Sequence, residues 1–171
     1  MTQAADAPIF DPSLWNLTSQ QAQLCTEARE LGQSTFAGRA AQYDREATFP
    51  LENYKDLHRS GLLGVCIPEH LGGRGADLKT YMLMASEMGR YCGATALTFN
   101  MHVSSCLWTG SLTDALDMDD ATREQHDAMR SVHYRRIIDD GKIYSQPFSE
   151  GGDAAAGKKA FGTTALITDG G

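Results

Sequence analysis

The chain has 171 residues, 42% of them hydrophobic and 22% charged, and a formal net charge of -7. That is room for one good-sized domain, or for one domain and part of another. The acidic balance argues against a general nucleic-acid binder, which needs a basic face to neutralise phosphates. It leaves room for anionic small molecules, which need only a local basic or amide-rich site.

Residues 1–16, with Pro8 and Pro12, read as irregular, and Met1 to Pro8 has neither the basic nor the apolar region of a signal peptide. Thr18 with Gln21 three residues on predicts a capping box. It opens a helix to about Tyr43, with Leu24, Ala28, Leu31 and Thr35 on one face. Pro50 opens a short second helix with Leu51, Tyr54, Leu57 and His58 on one stripe, and Gly61 suits its C′ position. Leu62 to Pro68 reads as a short apolar, extended piece, and a glycine-rich loop, Glu69 to Gly75, follows. Asp77 is the expected N-cap of a third helix, Leu78 to about Tyr91, ended by Gly93; a fourth runs from about Ala94 to Trp108. Both are apolar on most sides, which predicts a place inside a helical bundle.

From Thr113 to Asp140, Asp, Glu and Arg dominate, and a solvated helix is expected, capped by Asp119 or Asp120 and ended by Gly141. Lys142 to Pro147 and Phe161 to Thr168 read as strands. Asp169-Gly170 is a hairpin signal, because both residues tolerate the positive φ of a type I′ turn. Its return strand would lie beyond Gly171, so the chain reads as the first part of a longer protein. The expected layout is an irregular 1–16, an α-helical domain over 17–140, and the start of a β domain over 141–171.

Several motif readings fail on their chemistry. Gly152 to Lys159 nearly matches a phosphate loop, but Lys159 replaces the Mg²⁺-ligating hydroxyl and a strand is expected where a helix should begin. His126 and His133 fall two turns apart on one helix face, without an H-E-x-x-H pattern, and no metal site is expected. Ser149 lies outside any G-x-S-x-G elbow. Cys25, Cys66, Cys92 and Cys106 form no C-x-x-C and read as reduced thiols of a cytoplasmic protein. No apolar run approaches the roughly 20 residues of a membrane span.

Four segments in order carry a resemblance. Gly61-Leu-Leu-Gly-Val-Cys-Ile-Pro-Glu-His-Leu-Gly-Gly-Arg-Gly75 resembles the G-L-L-G-x-x-I-P-E segment, with its following glycines, of the acyl-CoA dehydrogenase family. Met84-Ala-Ser-Glu-Met-Gly-Arg-Tyr91 and Ala94-Thr-Ala-Leu-Thr-Phe-Asn100 resemble that family's paired inner helices. Tyr144-Ser-Gln-Pro-Phe-Ser-Glu-Gly-Gly152 stands where the family has T-E-P-x-A-G-S-D, on the first strand of a middle β domain.

The resemblance implies a mainly α fold: an N-terminal helical bundle followed by the first strands of an incomplete, barrel-like middle domain. It implies FAD as cofactor and an acyl-CoA thioester as substrate, desaturated between its α and β carbons with hydride passing to flavin N5. An electron-transfer flavoprotein or similar acceptor and a homo-oligomeric full-length protein are implied as well. By position, Ser145 matches a flavin-binding Thr and keeps its hydroxyl, Tyr144 offers backbone contacts, and Gln146 replaces the usual Glu. Gly151 stands where the family's CoA-contacting Ser is expected, with Ser149 as its substitute. Thr98 and His102, four apart and so on one helix face, align with positions at the deep end of the acyl tunnel; packing within the bundle is the competing reading. No catalytic residue is expected here, since the family's base, a Glu, belongs to a C-terminal domain. Such a piece would lack activity by itself. The alternative is a stand-alone helical binding or interaction module, or a decayed gene remnant, without redox activity.

Overall fold

The computed structural model describes residues 11–146, 162–164 and 166–168. Six α-helices are built within them: α1 (Ser19–Leu31), α2 (Ala37–Glu46), α3 (Leu51–Arg59), α4 (Leu78–Gly89), α5 (Gly93–Leu107) and α6 (Asp120–Ile138). The mainly helical architecture is as anticipated. None of the described residues is in a strand, including 142–146 of the first expected strand and 162–164 and 166–168 of the second; Pro147, the loop through Lys159, Phe161 and Ala165 lie outside the described residues.

Side chains that satisfy free backbone N–H groups set the helix starts. The Thr18 hydroxyl accepts from the Gln21 amide at 3.3 Å, while Gln21 Oε1 accepts from the Thr18 amide at 2.9 Å. Asp77 accepts from the Thr80 amide at 2.8 Å and Asp119 from the Thr122 amide at 2.8 Å. Gly61 after α3 and Gly141 after α6 take the positive φ angles, 74° and 65°, that release the chain from each helix.

The long first helix differs from expectation in its middle. Gly32–Phe36 forms a π turn between α1 and α2, and the Ala37 amide donates to the Gly32 carbonyl. A second π segment, Trp108–Leu112, follows α5, with Gly110 leaving helical geometry. Leu62 to Pro68, read as extended, is instead a series of tight turns. The Val65 amide donates to Leu62 O at 3.2 Å and Ile67 to Gly64 O at 3.0 Å. The segment then pairs with its own loop, as the Gly75 amide reaches Ile67 O and the Ala76 amide reaches Val65 O, each at 2.9 Å. Coiling lets residues 62–67 all be buried, whereas a half-covered strand would turn alternate side chains outward.

α4 lies between α1 and α5. Its buried Tyr81, Met84 and Met88 join Leu24 and Ala28 of α1 and Phe99 and Val103 of α5 in one core. A buried polar line crosses this core: Arg39 donates to Asn53 Oδ1 at 2.9 Å and pairs with Asp56 at 2.5 Å, and Asn53 Nδ2 donates to Thr95 at 2.8 Å. Glu87 of α4 is buried between Arg90 at 3.0 Å and Arg29 of α1 at 3.6 Å. α6 is only partly the solvated helix expected. Tyr134, Ile137 and Arg130 are buried, and Arg130 holds the Thr109 carbonyl at 2.9 Å and Asp114 and Asp127 at 2.7 Å.

Candidate functional site

The side chains that converge lie along one side of α5, where the chain leaving α6 returns. His102 is fully buried in α5 and stacks on Phe99, centroids 5.8 Å apart at 24°. Both ring nitrogens are engaged. The backbone amide of Tyr144 donates to Nδ1 at 3.0 Å, so Nδ1 carries no proton and Nε2–H donates to the Leu63 carbonyl at 3.0 Å. Burial pushes the imidazole down to about 4, against the opposing influence of the Leu63 hydrogen bond; the ring is neutral at pH 7.

The neighbours of Tyr144 extend the contact. Its hydroxyl bonds His133 Nδ1 of α6 at 2.8 Å, with the two rings edge to face at 5.6 Å. Gln146 Nε2 donates to the Ser105 hydroxyl at 3.1 Å, while Gln146 Oε1 is buried and has no hydrogen-bond partner among the described residues. Ser145, between them, is exposed.

His102 and Tyr144 are thus brought together through the backbone, and Gln146 reaches α5 through Ser105. Thr98 stays apart from them: it is partly buried, and its hydroxyl donates back to the Ala94 carbonyl at 2.8 Å. Ser149 and Gly151 lie outside the described residues. Sequence reasoning missed Ser105, His133 and the Leu63 carbonyl. Ser105 carried a signal, being three residues beyond His102 and so on its face. Leu63 carried none, because any residue has a carbonyl.

Two clefts flank this line. One of about 350 Å³ lies between α4 and the end of α5, lined by Leu78, Tyr81, Asn100, Met101, Trp108 and Leu112 among others. The other, about 230 Å³, is bounded by Ser105, Arg130, His133, Tyr134, Ile137 and Tyr144 with their neighbours. Neither offers a thiol nucleophile at neutral pH. Burial raises Cys25 to about 11 and Cys106 to about 12, and Cys66 higher still, so all three stay protonated. Among the described residues no group of three or more His, Cys, Asp or Glu is placed to hold a metal ion. No helix there is long and apolar enough to cross a membrane.

An N-terminal helical bundle is what the sequence resemblance implied, and comparison with known proteins agrees. The family model described as "Acyl-CoA dehydrogenase, N-terminal domain" matches residues 18–112. The chain belongs to the acyl-CoA dehydrogenase family. Among similar curated proteins is a short-chain specific acyl-CoA dehydrogenase of Clostridium acetobutylicum, 30% identical over 92 residues, 54% of this chain and 24% of that protein. A 3-sulfinopropanoyl-CoA desulfinase of Advenella mimigardefordensis is 37% identical over 79 residues, 46% of this chain and 20% of its own length. An acryloyl-CoA reductase (NADH) of Anaerotignum propionicum is 34% identical over 89 residues, 52% of this chain and 23% of its own. The match spans about a quarter of the length of these relatives or less.

Proposed function

We propose that the chain is the N-terminal helical part of a flavin-dependent enzyme that desaturates an acyl-CoA thioester. The family match over residues 18–112 carries this reading. The three relatives differ in the reaction their names state, and each name contains a CoA thioester. The shared CoA thioester supports the substrate class, and a flavin assay tests dehydrogenation.

The residues present fit FAD at one edge. Gln146 Oε1 is a buried acceptor lacking a donor, next to the exposed hydroxyl of Ser145. An isoalloxazine ring offers both an N–H donor and carbonyl acceptors. FAD, when bound, would supply the acceptor for hydride from the substrate's β carbon. The chain's own part is to bind and orient. Tyr144 and Ser145 present backbone and hydroxyl to the ring, Gln146 presents its free oxygen, and Ser149 or Gly151 meets the CoA arm. Thr98, partly exposed on α5, faces the acyl chain, and the apolar cleft beside Tyr81 and Met101 excludes water from it. The general base is supplied from outside these 171 residues. The chain alone is therefore expected to lack activity, and the complete protein to be a homo-oligomer passing electrons to an electron-transfer flavoprotein or similar acceptor.

The complete reading frame, expressed and purified, tests this. A flavin spectrum that bleaches on adding an acyl-CoA is expected. A colourless protein, or one whose spectrum no acyl-CoA of a chain-length series alters, would sink the proposal and favour a binding module without redox chemistry.

A further inference from the structure

We propose that His102 is a positioning residue, a strut between the Leu63 carbonyl and the Tyr144 amide that fixes where Ser145 and Gln146 are offered to the cofactor. The inference rests on the reading of Tyr144–Gln146 given above, and of the two expectations for His102 it follows packing within the bundle rather than the acyl tunnel. A ring that is fully buried with both nitrogens occupied has no free polar edge for an acyl chain.

The geometry gives each nitrogen its own task. Leu63 sits in the coiled 62–68 segment, 39 residues before His102, and Tyr144 lies 42 residues after it. The ring joins two stretches that have no backbone ladder between them. Leu63 O fixes which nitrogen carries the proton, and so leaves Nδ1 as the acceptor that the Tyr144 amide requires. Stacking on Phe99 fixes the ring plane. The attachments at Tyr144 Oη and Gln146 Nε2 use side chains on exposed or partly buried ground. Among the described residues only the His102 bond holds Tyr144–Gln146 by its backbone, and a backbone hold is what sets the direction of the following residues.

Conservative substitutions separate the two tasks. In His102→Asn the side-chain oxygen lies near the place of Nδ1 and keeps the acceptor for Tyr144. In His102→Gln the amide nitrogen lies near the place of Nε2 and keeps the donor to Leu63. Amide hydrogen exchange at pH 7, read by NMR on the 171-residue chain, should show Tyr144 protected in wild type and in His102→Asn. In His102→Gln and His102→Leu its exchange should be roughly tenfold faster, as for the loss of one hydrogen bond, with Val103 of α5 unchanged. In the complete reading frame the FAD dissociation constant should follow the same order, about tenfold weaker for Gln than for Asn. Should His102→Leu not fold, the Asn and Gln pair decides. Equal Tyr144 exchange in all variants, or equal loosening of Val103, overturns the strut. An amide split without a split in FAD affinity overturns its positioning role. A wild-type frame that binds no FAD instead overturns the flavin reading, and the amide comparison still decides the strut.

Discussion

Gly73 lies directly against the backbone of Ile67. A Cβ on Gly73 would fall 2.5 Å from both the carbonyl carbon and the Cβ of Ile67, and closer still to the carbonyl oxygen. Ile67 is buried, and its carbonyl already accepts the Gly75 amide, so neither partner can retreat cheaply. Gly73→Ala should cost about 3 kcal/mol, the upper part of the usual range for overpacking. Gly38, on the open face of α2, meets nothing within 4 Å. There the same change should stabilise by about 0.5–1 kcal/mol through helix propensity. Urea unfolding of the two variants checks both, and a Gly73→Ala midpoint at or above wild type would contradict the close approach.

Arg130 ties α6 to the segment that follows α5. Its partners Asp114 and Asp127 are about one-third and two-fifths exposed, so water offsets part of their loss. Arg130→Met should therefore cost about 2 kcal/mol, most of it from the lost charged bond to the Thr109 carbonyl. Exchange at the α6 amides should quicken while the α1 and α4 amides hold. Uniform loosening of the whole chain would show that the contact is not local.

His102 also predicts a dependence of stability on pH. Its folded value of about 4 lies below the ordinary 6.5, so the unfolded chain binds the proton more readily. The contribution is complete above pH 6.5 and is lost as pH falls toward 4, by about 3 kcal/mol at 1.36 kcal/mol for each pH unit of difference. Its ring contacts are Phe99, the Leu63 carbonyl and the Tyr144 amide. Cys106 and Cys66 belong to the same buried core, and burial keeps both protonated. His133 reaches the ring through Tyr144, so the measurement belongs in a His133→Gln background. Urea midpoints between pH 6.5 and 4.5 should fall less steeply in His102→Asn than in the parent, and parallel curves would refute the assignment.

What was legible in the sequence was mostly local. Thr18, Asp77 and Asp119 cap helices because a cap and its amide lie three residues apart, and that spacing is written in the chain. An unbroken apolar run such as Leu62 to Pro68 is compatible with an extended piece or with coiled, fully buried turns. The pairing with Gly75 and Ala76 that decides between them is tertiary. The π turns left no composition to read. His102 could be placed on the correct face of α5, but its partners lie 39 and 42 residues away, and both are backbone atoms. For that reason the sequence is compatible with both the acyl tunnel and packing within the bundle for His102, and the proposed strut rests on contacts that no spacing encodes.

The π turn at Gly32–Phe36 makes this stretch of helix tolerant of a kind of change that helices ordinarily refuse. A π turn spends one residue more than an α turn while leaving the faces on either side in phase. Deleting one exposed residue there, Gln33 or Ser34, should convert the wide turn to an ordinary one, with Ala28 and Phe36 both still facing inward. The same deletion in α1 would rotate every earlier side chain by about 100° relative to the core. Loss of Ser34 should therefore leave a cooperatively folded chain and loss of Gln23 should not, a contrast that thermal melts of the two deletions would reveal.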